Sequence, residues 1–250
     1  MKKSIGSLIL LIFCICLSAA ESDLRPYKLV NADSMIVKKV NDEYVSNLKG
    51  NVHFFYGETE FFTDYADIYE EQKVAKMAGN VKVYDDTLSL FAQRMEYNHI
   101  NEILRLFDHV FAQETHADST IRTFEADRAV YRRREREFHA YDDVKSYDER
   151  ENVHGSCGKL SYYMERGYGY LIMQPHLVMS GKDTLEITAE KIEYFQEYEK
   201  VVANFDVVTQ SNEFRMNSDF LLYFNQEEKA VYLGNPRFSS DYADARAVEF

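Results

Sequence analysis

The run Arg132-Arg133-Arg134-Glu135-Arg136 is the one dense block of positive charge in a chain of 250 residues that carries 42 Asp and Glu against 29 Lys and Arg. Guanidinium groups match phosphate oxygens, so Arg132, Arg133, Arg134 and Arg136 are candidates to contact phosphates or an acidic partner. A solvated hairpin tip is the plainer reading of the same block, and both stay open. His53, His109 and His139, the last near Asp143, have ligand chemistry, yet each stands without the second cluster that a metal site needs. His154 lies close enough to Cys157 to raise a thiol nucleophile, but Cys157 occupies a position filled elsewhere by Ala, Thr and Ser, which predicts a small buried core residue. The chain contains no HExxH, GxSxG, phosphate loop or paired zinc cysteines. The expectation is a protein without catalytic residues, metal or cofactor.

Composition narrows the setting. Lys2 and Lys3 precede an almost wholly apolar stretch at 5–17, and Ser18-Ala19-Ala20 supplies the small residues of a cleavage site. Residues 1–20 are therefore expected to be a secretory signal peptide. Removing them leaves 29 − 2 = 27 basic residues against 42 acidic ones, a net charge of −15. Such a surface disfavours nucleic acid and anionic membrane faces. Cys157 alone remains of the three cysteines, so core burial, and no internal disulfide, must hold the fold together.

The elements that position these residues come from a repeat. One signature is a small residue, usually followed by a polar one, with an apolar residue three places on. It begins at Ala32, Thr63, Ala92, Ala126, Cys157, Ala189 and Ser218, with spacings of 31, 29, 34, 31, 32 and 29 residues. A second signature, in most units 16 residues after the first, is Gly50-Asn51-Val52, Gly79-Asn80-Val81, Asp108-His109-Val110, Asp142-Asp143-Val144, Phe205-Asp206-Val207 and Gly234-Asn235-Pro236. In the fifth unit Pro175-His176-Leu177 is taken as its counterpart. A fixed phase held over seven copies is the mark of a stacked repeat architecture.

Each half-unit predicts a strand. Apolar residues alternate with polar ones in the second halves, and polar turns such as 70–73, 98–102, 132–137 and 225–229 separate the halves. In the first halves the apolar parity flips at the small residue, as between Leu90/Ala92 and Met95/Tyr97, which requires a bend or bulge there. Stacked corners predict an all-β, folded-over antiparallel jellyroll over residues 30–238, after a lead-in at 21–29. With about 4.8 Å between strands, seven to eight rungs give a length of roughly 35 Å. The interior-facing candidates are Val52, Phe54, Met77, Val81, Val83, Leu104, Leu106, Val110, Phe138, Val144, Leu171, Met173, Leu177, Ile187, Val201 and Val207. For any one of these, core packing is the plainer role; together they are candidates to line a lipid path. Residues 239–250 form a partial eighth repeat or an open edge, with Ala245 matched to Ala92. The chain is also compatible with the beginning of a longer outer-membrane protein.

The Ala-Asp corners (Ala32-Asp33, Ala126-Asp127), the Gly-Asn-Val returns and the signal peptide resemble the OstA/LptA group of periplasmic lipopolysaccharide-transport proteins, which includes LptA, the periplasmic part of LptC and the N-terminal domain of LptD. The resemblance implies a non-catalytic β-jellyroll that shields the acyl chains of lipopolysaccharide, or a similar acylated lipid, on the way to the outer membrane. It also implies a periplasmic or outer-membrane-associated location and end-to-end partners: LptC-like and LptD-like modules, or further copies of the chain, joined through edge strands. The alternative from another class is an exported β-solenoid enzyme or adhesin acting on carbohydrate, which would gather its acids in one exposed cleft.

Overall fold

The computed structural model describes residues 27–181, 184–227, 229–248 and 250. The signal peptide expected at 1–20 and the lead-in as far as 26 lie outside the described residues. The described residues form one antiparallel sheet of nineteen strands. In chain order these are β1 (Lys28–Asn31), β2 (Ser34–Val40), β3 (Glu43–Tyr56), β4 (Thr59–Tyr69), β5 (Val74–Asp85), β6 (Leu88–Asn98), β7 (Ile103–Thr115), β8 (Ile121–Arg132), β9 (Glu137–Asp148) and β10 (Val153–Tyr163). There follow β11 (Tyr168–Ile172), β12 (His176–Ser180), β13 (Thr184–Thr188), β14 (Lys191–Phe195), β15 (Lys200–Gln210), β16 (Phe214–Phe224), β17 (Lys229–Leu233), β18 (Arg237–Ser240) and β19 (Asp244–Arg246).

The long strands fold across their middles. Each contributes one arm to layer A, with β1, β12, β13, β18 and β19, and one arm to layer B, with β2, β11, β14 and β17. Rings from the two layers meet in the interior: Phe61 packs on Tyr97 at 5.1 Å, and Phe124 on Phe138 at 5.1 Å. One side of this flattened tube is closed by the corners. At the other side the hairpin turns of the two layers face each other as two lips.

The corner has one geometry throughout. Every unit places two consecutive residues in the left-handed region: Gly50-Asn51, Gly79-Asn80, Asp108-His109, Asp142-Asp143, Met173-Gln174, Phe205-Asp206 and Gly234-Asn235, with φ between 46° and 83°. These two residues oppose a single residue on the following strand. Ala78 pairs with Arg94 and Val81 with Ala92, so Gly79 and Asn80 share Gln93 as their opposite. The extra residue is a bulge, and it keeps the buried parity of the return strand (Met77, Val81, Val83) while the other strand flips (Phe61 to Ala66).

The fifth unit departs from the sequence reading. Its left-handed pair is Met173-Gln174, not Pro175-His176, so Pro175 takes the inward valine position, as Pro236 does in the seventh. Met173 lies sixteen residues after Cys157, the usual spacing. A built Cβ on Gly79 would lie 2.5 Å from Asp64 Oδ2, whereas in the fifth unit the glycine is on the other strand: a Cβ on Gly158 would lie 2.8 Å from Met173 Cβ. The small and large partners have changed places. Prolines 175 and 236 supply no backbone N–H, and there the long strand divides into β11/β12 and β17/β18.

Two further expectations are corrected. Each repeat adds two strands to each layer, so layer B stacks fourteen strands and is roughly 60 Å long at about 4.8 Å per strand, not 35 Å. Near the C-terminal edge, Phe238 pairs with Ala245, and Phe250 exchanges backbone hydrogen bonds with Tyr232. Val81 pairs with Ala92 and Met77 with Met95, so Ala247, and not Ala245, corresponds to Ala92. The core divides where β11 ends: one buried cluster runs from Leu48 to Leu171 and a second from Leu177 to Tyr232.

Corner substitutions test this geometry. Gly79→Ala adds a Cβ against Asp64 on a backbone with φ of 83° and is expected to cost about 1–3 kcal/mol in urea unfolding. Phe205→Gly removes a side chain from the left-handed region, and the relief of about 1–2 kcal/mol offsets or exceeds the entropy cost of glycine. It should be neutral or stabilising. Equal loss in both variants would contradict the corner assignment.

Candidate functional site

Fifteen of the sixteen interior candidates are buried between the layers: Val52, Phe54, Met77, Val81, Val83, Leu104, Leu106, Val110, Phe138, Val144, Leu171, Leu177, Ile187, Val201 and Val207. Met173 is the exception. Its left-handed backbone turns the side chain outward over Gly158, and it is 62% exposed. Cys157 is buried and unbridged, and burial pushes its thiol up to about 11. His53, His109 and His139 are on the outer face; His53 contacts Glu60 at 2.8 Å and His139 contacts Ser161 at 2.9 Å. Among the described residues no group of three His, Cys, Asp or Glu could hold a metal ion.

Most of the interior is filled by rings and branched side chains, with Phe54, Phe61, Tyr97, Tyr131 and Phe138 fully enclosed. Space remains at the division between the two core clusters. There a cavity of about 90 Å³ is lined by Phe124, Leu160, Leu171, Leu177, Met179 and Val201, among others, with Arg122, Tyr162, Tyr194 and Asn225 toward the lips. Its wall is almost entirely apolar. The Tyr194 hydroxyl is buried and has no hydrogen-bond partner among the described residues, and burial pushes its pKa up to about 12.

The lips are joined by polar bridges that strand parity alone does not predict. Buried Asp85, in layer A, accepts from Arg133 Nε at 2.7 Å and from the Tyr131 hydroxyl at 3.1 Å, both in layer B, and from Thr59 Oγ1 at 3.2 Å. Arg133 also donates to Glu102 at 3.0 Å. Burial works against the guanidinium charge, but the bonds to Asp85 and Glu102 outweigh it and raise the Arg133 pKa. Arg136 reaches back to Thr87 at 3.3 Å and Asp86 at 3.5 Å. Along the same seam Arg122 bonds Asp148 in its own layer and the Tyr162 hydroxyl in the other, and Asn225 donates to Glu151 at 2.8 Å.

The arginine block thus divides by role. Arg133 and Arg136 close the lips, Arg134 reaches Glu102 at 3.4 Å from an exposed position, and Arg132 stands on the outer face. One signal for the clasp was present in the sequence. Asp85 continues the inward parity of Val81 and Val83, and Arg122 precedes that of Phe124, so each is a charge on a buried face at a strand end.

The ends of the stack differ from its sides. Among the described residues β2 pairs only with β3, and all seven of its residues are exposed there, including Met35, Ile36, Val37 and Val40. At the far end, among the described residues, β19 pairs only with β18. An unpaired strand rich in apolar residues is a template for another strand.

Residues 27–134 match the family model described as OstA-like protein. No curated protein matches the chain. Among solved structures, the chain aligns with LptH from Pseudomonas aeruginosa, described as the LptA homologous periplasmic component of the conserved lipopolysaccharide transport device. Identity is 12%, with 70% of this chain and 82% of that chain covered and a TM-score of 0.23.

The clasp has a stability signature. Asp85→Ala leaves Arg133, Tyr131 and Thr59 without their shared acceptor and should cost about 2–4 kcal/mol in chemical denaturation. Arg134→Ala, at an exposed site, should cost less than about 0.5 kcal/mol. In the native protein Cys157 should resist alkylation at pH 8 and react on unfolding, since the buried thiol holds its proton. Rapid native labelling would contradict its burial.

Proposed function

We propose that this chain, whose residues 27–134 match the OstA-like family model, is a non-catalytic periplasmic module that carries lipopolysaccharide or a similar acylated lipid toward the outer membrane. The observation that supports this reading is the apolar space between the layers, left unfilled where one core cluster ends and the next begins. Acyl chains occupy the interior, and sugar and phosphate stay in water beyond the lips. Each buried methylene contributes about 0.8 kcal/mol. The cavity of about 90 Å³ is smaller than the apolar cavity of about 150 Å³ that admits benzene. It therefore takes only the end of one chain while the lips are closed.

Longer insertion requires the seam to part. A neutral polar bridge contributes about 0.5–1.5 kcal/mol and a charged one about 1.5–3 kcal/mol. Burial of a chain of about twelve carbons, about 9 kcal/mol by the same methylene value, is large enough to offset the loss of several bridges. Strand addition at β2 and β19 would join modules end to end, with LptC-like and LptD-like jellyrolls or further copies as the partners. The carbohydrate-enzyme alternative is less well supported, because corner acids are engaged locally: Asp33 with Asn51, Asp64 with Asn80, Asp108 with Arg94 and Asp142 with Arg128.

Filling the cavity tests the carrier reading. Val201→Phe should weaken binding of cis-parinaric acid, a fluorescent acyl probe, by at least about tenfold, while Met173→Ala leaves it unchanged. Circular dichroism would establish that both variants fold. Unchanged affinity in a folded Val201→Phe protein would contradict an interior site. For the edge, the double change Ile36→Glu and Val37→Glu should abolish any concentration-dependent assembly seen by light scattering, without altering probe binding.

A further inference from the structure

The outer face of layer B carries a patch whose composition opposes that of the whole molecule. Strands β9, β10, β11, β14 and β15 lie side by side there, and their outward residues form three rows. One row runs Tyr141, Lys159, Ile172, Lys191, Asn204; the next His139, Ser161, Tyr170, Glu193, Val202; the third Glu137, Tyr163, Tyr168, Phe195, Lys200. The inward neighbours Ala140, Leu160, Leu171, Ile192 and Ala203 are buried, so packing of the interior does not explain the rings outside.

Rings and cations are interleaved. Lys159 lies over Tyr141 at 5.4 Å, Lys191 over Tyr170 at 5.3 Å, and Lys200 over Phe195 at 4.5 Å. At the adjoining turn Arg166 lies over Tyr163 at 5.7 Å. Tyr163 and Tyr168 stack at 5.7 Å, and Phe195 lies tilted against Tyr168 at 5.1 Å. Lys191 pairs with Glu193 at 2.8 Å, whereas Lys159, Arg166 and Lys200 have no ion pair among the described residues. In a protein with a formal net charge of −13, the rows hold three lysines against two glutamates, and the adjoining turns add Arg166 together with Glu165 and Glu197. Within the rows the sign is reversed.

We propose that this outer face binds an anionic oligosaccharide. The uncommitted cations complement carboxylate or phosphate groups on sugars. The negative ring faces suit the C–H faces of pyranoses, and Asn204 and the tyrosine hydroxyls supply donors and acceptors for sugar hydroxyls, while Ser161 is fully buried and bonded to His139. Five strands at about 4.8 Å span roughly 19 Å, enough for a few sugar rings. A peptide of acidic residues would meet the lysines but leave the ring faces unused. The site is on the opposite side of layer B from the interior, and its failure would leave the carrier reading intact.

Binding of hexagalacturonate, maltohexaose and hexaglutamate to the purified chain at low ionic strength separates the possibilities. Hexagalacturonate should bind at least about tenfold more tightly than the neutral sugar or the acidic peptide. Lys159→Glu with Lys200→Glu should remove that preference, and Tyr170→Ala should weaken saccharide binding by several-fold. Parinaric acid binding, as an internal check of folding, should be unchanged in these variants or, if the chain binds no acyl probe, be replaced by an unchanged unfolding midpoint. Hexaglutamate binding as tightly as hexagalacturonate, no saccharide binding, or full affinity in the charge-reversed variant would each overturn the proposal.

Discussion

Everything in this fold depends on two consecutive residues held in the left-handed conformation at each return corner. For an L-residue that conformation costs about 1–2 kcal/mol, and glycine occupies only three of these fourteen positions. The second member of each pair is Asn, Asp, His or Gln, all able to bond locally. The geometry persists because the extra residue keeps the return strand in phase while its neighbour changes phase. Without it, one arm of every strand would turn its apolar face to water. Corner partners then adapt: Asp packs against Gly in three units, Gly against Met173 in the fifth, and Arg–Asp pairs bridge the third and fourth.

The two long sides of the tube are consequently unequal in strength. Chain continuity closes the corner side at every strand. The lip side is held by a few polar bridges around Asp85, Arg122 and Glu151, with hydrophobic packing behind them. In the proposed carrier role this seam is the line along which the module would open, and it borders the apolar interior. The waist at Leu171 and Leu177, where Pro175 interrupts the ladder, lies toward the corners, and the cavity there reaches across the interior to Arg122, Tyr162 and Asn225 at the seam.

Much of this was legible in the sequence because the repeat phase and the period of two act together. Fifteen interior positions followed from parity alone, and Cys157 followed from its place among Ala, Thr and Ser. Met173 was misassigned because the Pro-His-Leu phrase imitated the Gly-Asn-Val return, although the spacing of sixteen pointed to Met173-Gln174. The length was underestimated because a folded hairpin adds both of its arms to each layer. The lip bridges were hidden for a different reason: Asp85 and Arg133 are 48 residues apart, and only folding across the corners brings them to 2.7 Å. Charge at an inward strand end was the available clue, and a basic run in a turn drew attention instead to solvent.

The most direct test of the account is photocrosslinking in intact cells from two positions of the fifth unit. A photoreactive residue at Leu177 faces the interior beside the cavity, whereas one at Met173 faces water four residues away. The account predicts acyl-lipid adducts from Leu177 and none from Met173. Adducts from Met173 alone, or no lipid adduct from Leu177 in a folded and exported chain, would contradict carriage between the layers.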